Sequence, residues 1–204
     1  MLRFPVKART LAELKRMAQP QAVPGGASEA VAWAFHDTAT YTSATTTQLT
    51  YFTTTRATRN LSNLSPAGTI PDPQFFEVYG FNCDVLIGSV ATTLADIQQL
   101  LFGDGTTGVG GPIFTFTYAD KQYGPWALSL LHGTGGATGY GNTAAATEYG
   151  NNSIPDGGFY QDGAICLAPN QSFSARIDWG AAVTLTADVD IRVTMAGVLH
   201  RRVV

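Results

Sequence analysis

Two stretches near the C-terminus alternate apolar and polar residues with a period of two. From Ser172 to Trp179, Phe173, Ala175, Ile177 and Trp179 share one parity, and Ser174, Arg176 and Asp178 the other. From Ala187 to Leu199, Val189, Ile191, Val193 and Met195 oppose Asp188, Asp190, Arg192 and Thr194. Side chains alternate across a strand, so each stretch predicts a strand with one buried face. The polar parity, with Arg176, Asp178, Asp188, Asp190 and Arg192, is a candidate assembly surface. Upstream, Val31, Trp33 and Phe35 mark a first strand, closed by His36-Asp37, and Thr45–Thr55 a Thr-rich second one. Residues 56–73 read as a loop punctuated by Pro66, Gly68, Pro71 and Pro73. Phe75–Ile87 is a long apolar run with a bend at Gly80, and Ile113–Tyr118, Trp126–Leu131 and Gly163–Ala168 add further strands after turns and Gly-rich connections.

Two segments have helical spacing instead. Thr10 and Glu13 form a capping box ahead of Leu11, Leu14 and Met17, and Pro20, Pro24 and Gly25-Gly26 end that short helix. Thr93–Phe102 carries Leu94, Ile97 and Leu101 on one face and stops at Gly103. Eight strands with long, uneven loops and no βαβ rhythm predict an all-β fold. The expected form is an eight-stranded, two-sheet jelly-roll sandwich with a short N-terminal helix and one helix between strands. Residues 1–28 read as a basic arm with its helix and Pro/Gly linker, and 29–204 as one β domain.

Composition narrows the function classes. Only 13% of the 204 residues are charged, against about 25% in average globular proteins, which fits a surface that neighbours cover. Residues 1–20 carry Arg3, Lys7, Arg9, Lys15 and Arg16 against Glu13, a net +4, so the rest holds −7 of a total of −3. The arm is therefore a candidate contact for a neighbouring subunit, nucleic acid or an anionic membrane, with Leu11, Leu14 and Met17 available for apolar docking. Its few basic residues favour protein over genome. Cys83 and Cys166 lie in apolar runs and are expected as buried thiols. The start lacks an apolar signal-peptide core, and no apolar run is long enough to span a membrane.

Catalytic groupings are scarce. His36, His132 and His200 stand far apart with no His or Cys at metal-ligand spacing, and no G-x-S-x-G elbow occurs. His132-Gly-Thr-Gly-Gly lacks the Lys-Ser/Thr ending of a P-loop. Asn60-Leu-Ser62 and Asn63-Leu-Ser65 match the glycosylation acceptor pattern, without a secretory signal to give it meaning. No enzyme activity, cofactor, metal or small-molecule substrate is expected. Aromatics on the Gly-rich half, Trp126 and Tyr140 above all, are candidate ligand-facing rings, and they sustain an alternative reading as a carbohydrate- or receptor-binding module.

The order of features resembles that of single jelly-roll coat proteins of viruses, including icosahedral bacteriophages. The run Ile165-Cys166-Leu167, Phe173–Trp179 and Val189–Arg201, with Gly197-Val198-Leu199-His200, looks like the last three strands of such subunits. The resemblance implies a virion structural protein, made in the host cytoplasm, that self-assembles through loop and arm contacts with copies of itself and other virion proteins.

Overall fold

A computed structural model describes residues 28–86, 94–103, 111–131 and 159–202. In chain order these form β1 (Ser28–Tyr41), β2 (Gln48–Tyr51), β3 (Phe75–Leu86), α1 (Leu94–Phe102), β4 (Ile113–Tyr118), β5 (Lys121–Ala127), β6 (Phe159–Leu167), β7 (Phe173–Asp178) and β8 (Val189–Arg202), with one 3₁₀ turn at Leu128–Leu130. All ladders are antiparallel and build two four-stranded sheets, ordered β1-β8-β3-β6 and β2-β7-β4-β5. The chain is therefore an all-β protein whose two sheets pack as a sandwich. The arm, its helix and residues 132–158 lie outside the described residues.

The core follows from the alternation. Val189, Ile191, Val193 and Met195 of β8 are all buried on the inner face of one sheet, and Phe173, Ala175 and Ile177 of β7 on that of the other. Phe81 of β3 spans the gap, with its ring centroid 5.2 Å from that of Phe114 and 4.9 Å from that of Phe116 on β4. One end of the sandwich is plugged by α1, whose Ile97, Leu100 and Leu101 are buried. The Trp179 indole N–H donates to the Leu100 carbonyl at 2.9 Å and its ring meets Tyr41 edge-on at 4.8 Å. Gly103 ends α1 as expected, at φ 87° with its N–H on the Gln99 carbonyl.

Several boundaries differ from the expectation. The first strand does not close at His36-Asp37 but continues to Tyr41, because its whole length pairs with β8 from Ser28↔Arg202 to Tyr41↔Val189. The second shortens to Gln48–Tyr51 between Ala44 and Phe52, both at positive φ. The fifth is Lys121–Ala127 and not Trp126–Leu131: Ala119 at φ 48° makes the turn that pairs Tyr118 with Lys121. Pro125 is tolerated there since β5 is an edge strand, where a missing N–H breaks no ladder bond. The two C-terminal strands fall in different sheets, so their charged parities form two separate faces. On β7, Arg176 pairs with Asp178 at 2.6 Å. On β8, Arg192 and Asp190 bond back to β1 and its loop.

Neither cysteine forms a disulfide, and only Cys83 matches the expected burial; Cys166, on the outer face of β6, is exposed. Burial pushes the Cys83 thiol far up, and partial burial plus the nearby Glu77 raises that of Cys166. The thiolate is the reactive form, so a raised pKa means less thiolate at a given pH. A thiol-reactive dye at pH 8 is expected to label Cys166 alone, more slowly than a free cysteine and faster as pH rises. Cys83 should react only on unfolding; two equal fast phases in the native chain would contradict this arrangement.

Candidate binding cleft at the free edge of the first strand

β1 is an edge strand, and an uncovered edge invites unwanted pairing. The loop after β2 returns to cover part of it. Asp37 and Ser62 form an isolated antiparallel bridge, and Asn63 donates its backbone N–H to the His36 carbonyl at 3.4 Å. The Asn63 side chain continues this pairing: its oxygen accepts from the His36 N–H at 2.8 Å and its amide donates to the Ala34 carbonyl at 2.8 Å. Both ends of that amide are thus engaged in holding the edge, which leaves the sequon at Asn63 a structural device.

Further bonds fix the loop from beneath. Asp37 lies at an inward parity of β1 and is fully buried. Its carboxylate accepts from the Phe52 N–H at 2.6 Å, the Thr38 N–H at 3.0 Å and the Arg56 Nε–H at 3.1 Å. The His36 ring nitrogen lies 3.1 Å from the Arg59 carbonyl, and Arg192 donates to the Asn60 carbonyl at 2.9 Å. Ordering an irregular loop costs roughly 1–2 kcal/mol of backbone entropy per residue. Here that cost is met by side chains reaching from β1 and β8, so the loop is a positioned surface.

Between loop and strand lies a cleft of about 420 Å³, lined by Trp33, Thr55, Arg56, Ala57, Thr58, Arg59, Ser62, Asn63, Leu64 and Ser65. Trp33 is 44% exposed and packs edge-on against Phe35 at 6.4 Å. Among the described residues the Arg59 guanidinium has no hydrogen-bond or ion-pair partner. The cleft offers an aromatic wall, two guanidinium groups and several hydroxyls, a set suited to holding a polar ligand. Among the described residues no three His, Cys, Asp or Glu side chains are grouped to hold a metal, and no helix is long and apolar enough to cross a membrane.

Of the residues singled out in the sequence as ligand-facing, the described one, Trp126, sits elsewhere. Trp126 is half-buried on β5, its ring 6.1 Å from Phe114 and 6.0 Å from Phe81, so much of its area serves the core. Tyr140, His132 and the arm residues Arg3, Lys7, Arg9, Leu11, Leu14, Lys15, Arg16 and Met17 lie outside the described residues. The cleft itself was not foreseen. Its signal was the pair Arg56 and Arg59 in an otherwise uncharged stretch of a charge-poor chain.

A second feature lies on the outer face of the same sheet, a few residues along from Trp33. Glu77, Tyr79, Val198 and His200 have the outward parity, yet all are buried. The Tyr79 hydroxyl donates to Glu77 at 2.8 Å, the His200 ring lies 3.5 Å from the Glu77 carboxylate, and the same ring stacks on Phe75 at 4.1 Å. This patch adjoins Ser28, where β1 begins, because Ala30 pairs with His200.

Fold and cleft define an all-β sandwich protein with a positioned edge loop. No protein-family model, curated protein or solved structure matches the chain.

Proposed function

We propose that this chain is a structural coat protein, a single jelly-roll subunit that self-assembles into a viral shell. The carrying observation is the strand order. The first strand pairs with the last, the second with the seventh, the third with the sixth and the fourth with the fifth, and successive pairs alternate between sheets. A long antiparallel hairpin rolled over itself gives that nesting, and it supports two interlocked Greek keys, the jelly-roll arrangement of viral shell subunits. Lectins use the same scaffold, so the shell reading also leans on the low charge content and on the basic arm.

In this reading the partners are further copies of the chain and other virion proteins, and the site of action is the virion. No step of catalysis is part of the role. The arm docks mainly through Leu11, Leu14 and Met17, its basic residues adding weak contact with nucleic acid or an internal membrane.

Negative-stain images of the purified chain are expected to show closed particles of many copies. A chain that stays monomeric when concentrated would overturn the proposal. Deleting residues 1–24 should leave the circular dichroism of the sandwich intact and raise the chain concentration at which particles form by about tenfold or more, which corresponds to losing roughly 1.4 kcal/mol per subunit added, with yield at a fixed concentration falling accordingly. Unchanged yield removes the arm from assembly. Salt separates its modes: apolar docking holds or strengthens as salt rises, whereas phosphate contacts weaken.

A further inference from the structure

We infer that the cleft between β1 and its covering loop binds one carboxylate-bearing sugar residue, of the uronate or sialate type. The inference stands on the cleft alone and holds whether or not the chain builds a shell. Three observations select this ligand class.

The first is charge. Arg56 is balanced by the buried Asp37, which among the described residues leaves the Arg59 guanidinium as the uncompensated cation of the cleft. The guanidinium fork matches a carboxylate in two parallel hydrogen bonds. A single unpaired guanidinium among the described residues of the cleft, on a chain of net −3, suits a singly charged ligand and works against a polyanion such as nucleic acid.

The second is shape. Trp33 presents an exposed indole beside Arg59, and its flat face suits the apolar face of a sugar ring. The volume of about 420 Å³ is near the lower end of small-molecule sites, enough for a single substituted ring. Hydroxyls of Thr55 and Thr58 stand in the same lining and can serve ring hydroxyls as donors or acceptors.

The third is rigidity. The loop that carries both arginines is tied down at Arg56, at the Arg59 and Asn60 carbonyls and through Asn63, so binding need not first order it. A preformed site loses less affinity to ordering.

The test uses the full chain, with methyl β-glucuronide and N-acetylneuraminic acid titrated by calorimetry against methyl β-glucoside and inorganic phosphate. At least one acidic sugar is expected to bind saturably, and about tenfold or more tighter than the neutral glucoside. Arg59→Ala should weaken that binding by about tenfold or more, and Arg59→Lys by less, since it keeps the charge without the fork. Trp33→Ala should weaken acidic sugars while leaving phosphate unaffected. Both side chains are solvent-accessible, and circular dichroism verifies that the variants fold. Equal binding of the neutral glycoside, binding of phosphate alone, insensitivity to Arg59→Ala, or no saturable binding would each overturn the inference.

Discussion

Gly197→Ala is expected to destabilise the fold by about 3 kcal/mol or more, at or beyond the top of the range for overpacked cores. A Cβ at this position would sit 1.9 Å from the Glu77 carbonyl oxygen and 2.9 Å from the Phe76 ring. The obstruction is main chain, which no rotamer change relieves. Nor can β8 retreat: it is a central strand, paired at this point with Trp33 of β1 on one side and Val78 of β3 on the other. The shift in register between Val78 and Gly80 shows where β3 already departs from regular pairing. Against a total stability of 5–15 kcal/mol typical of domains, a loss of this size would lower the urea midpoint sharply or leave the chain insoluble. A variant with the wild-type midpoint would mean that β3 can shift at Glu77 almost without cost.

Asp37→Ala is expected to cost about 3–5 kcal/mol, the range for breaking a buried charge pair by removing one partner. The substitution leaves the Phe52 N–H and the Arg56 guanidinium without the acceptor that now serves both, and Phe52 is itself buried. Arg56→Ala should cost less, since the carboxylate keeps its two backbone N–H donors. In the double variant the losses should be less than additive, because the second change removes a group the first has stranded. Urea melts of the cycle measure the coupling, and limited proteolysis should show cleavage within residues 53–65 rising in Asp37→Ala. Additive losses, or a single-variant effect within about 0.5 kcal/mol of zero, would place the loop's anchorage elsewhere.

The sandwich was legible where burial is one-sided. β7 and β8 each bury one parity, so their pattern is printed in consecutive residues, and the helix stop at Gly103 is equally local. What escaped was long-range. Asp37 read as the polar end of a strand, since nothing between Phe35 and Ala39 reveals that its donors come from Phe52 and Arg56. Residues 121–125 read as part of the turn ahead of Trp126, because a proline argues against a central strand and edge position is a property of the sheet. The cleft was least legible of all: Trp33 lines the same cleft as Arg56 and Arg59 only because Asn63 pairs with the open edge of β1, and no local spacing encodes that return. The opposite polar faces of β7 and β8 were likewise invisible, because parity within a strand does not say which sheet the strand joins.

The pairing of the first described strand with the last also sets an order of events. Glu29 and Arg201 form an ion pair across 172 positions of sequence, and β8 separates β1 from β3 in their sheet. During synthesis, β3 can pair with β6 first, whereas β1 waits unpaired until β8 leaves the ribosome, its apolar face open to chaperones or to other nascent chains. Only after synthesis of β8 can that sheet close, so any surface a partner recognises on it becomes available once β8 has emerged and not before.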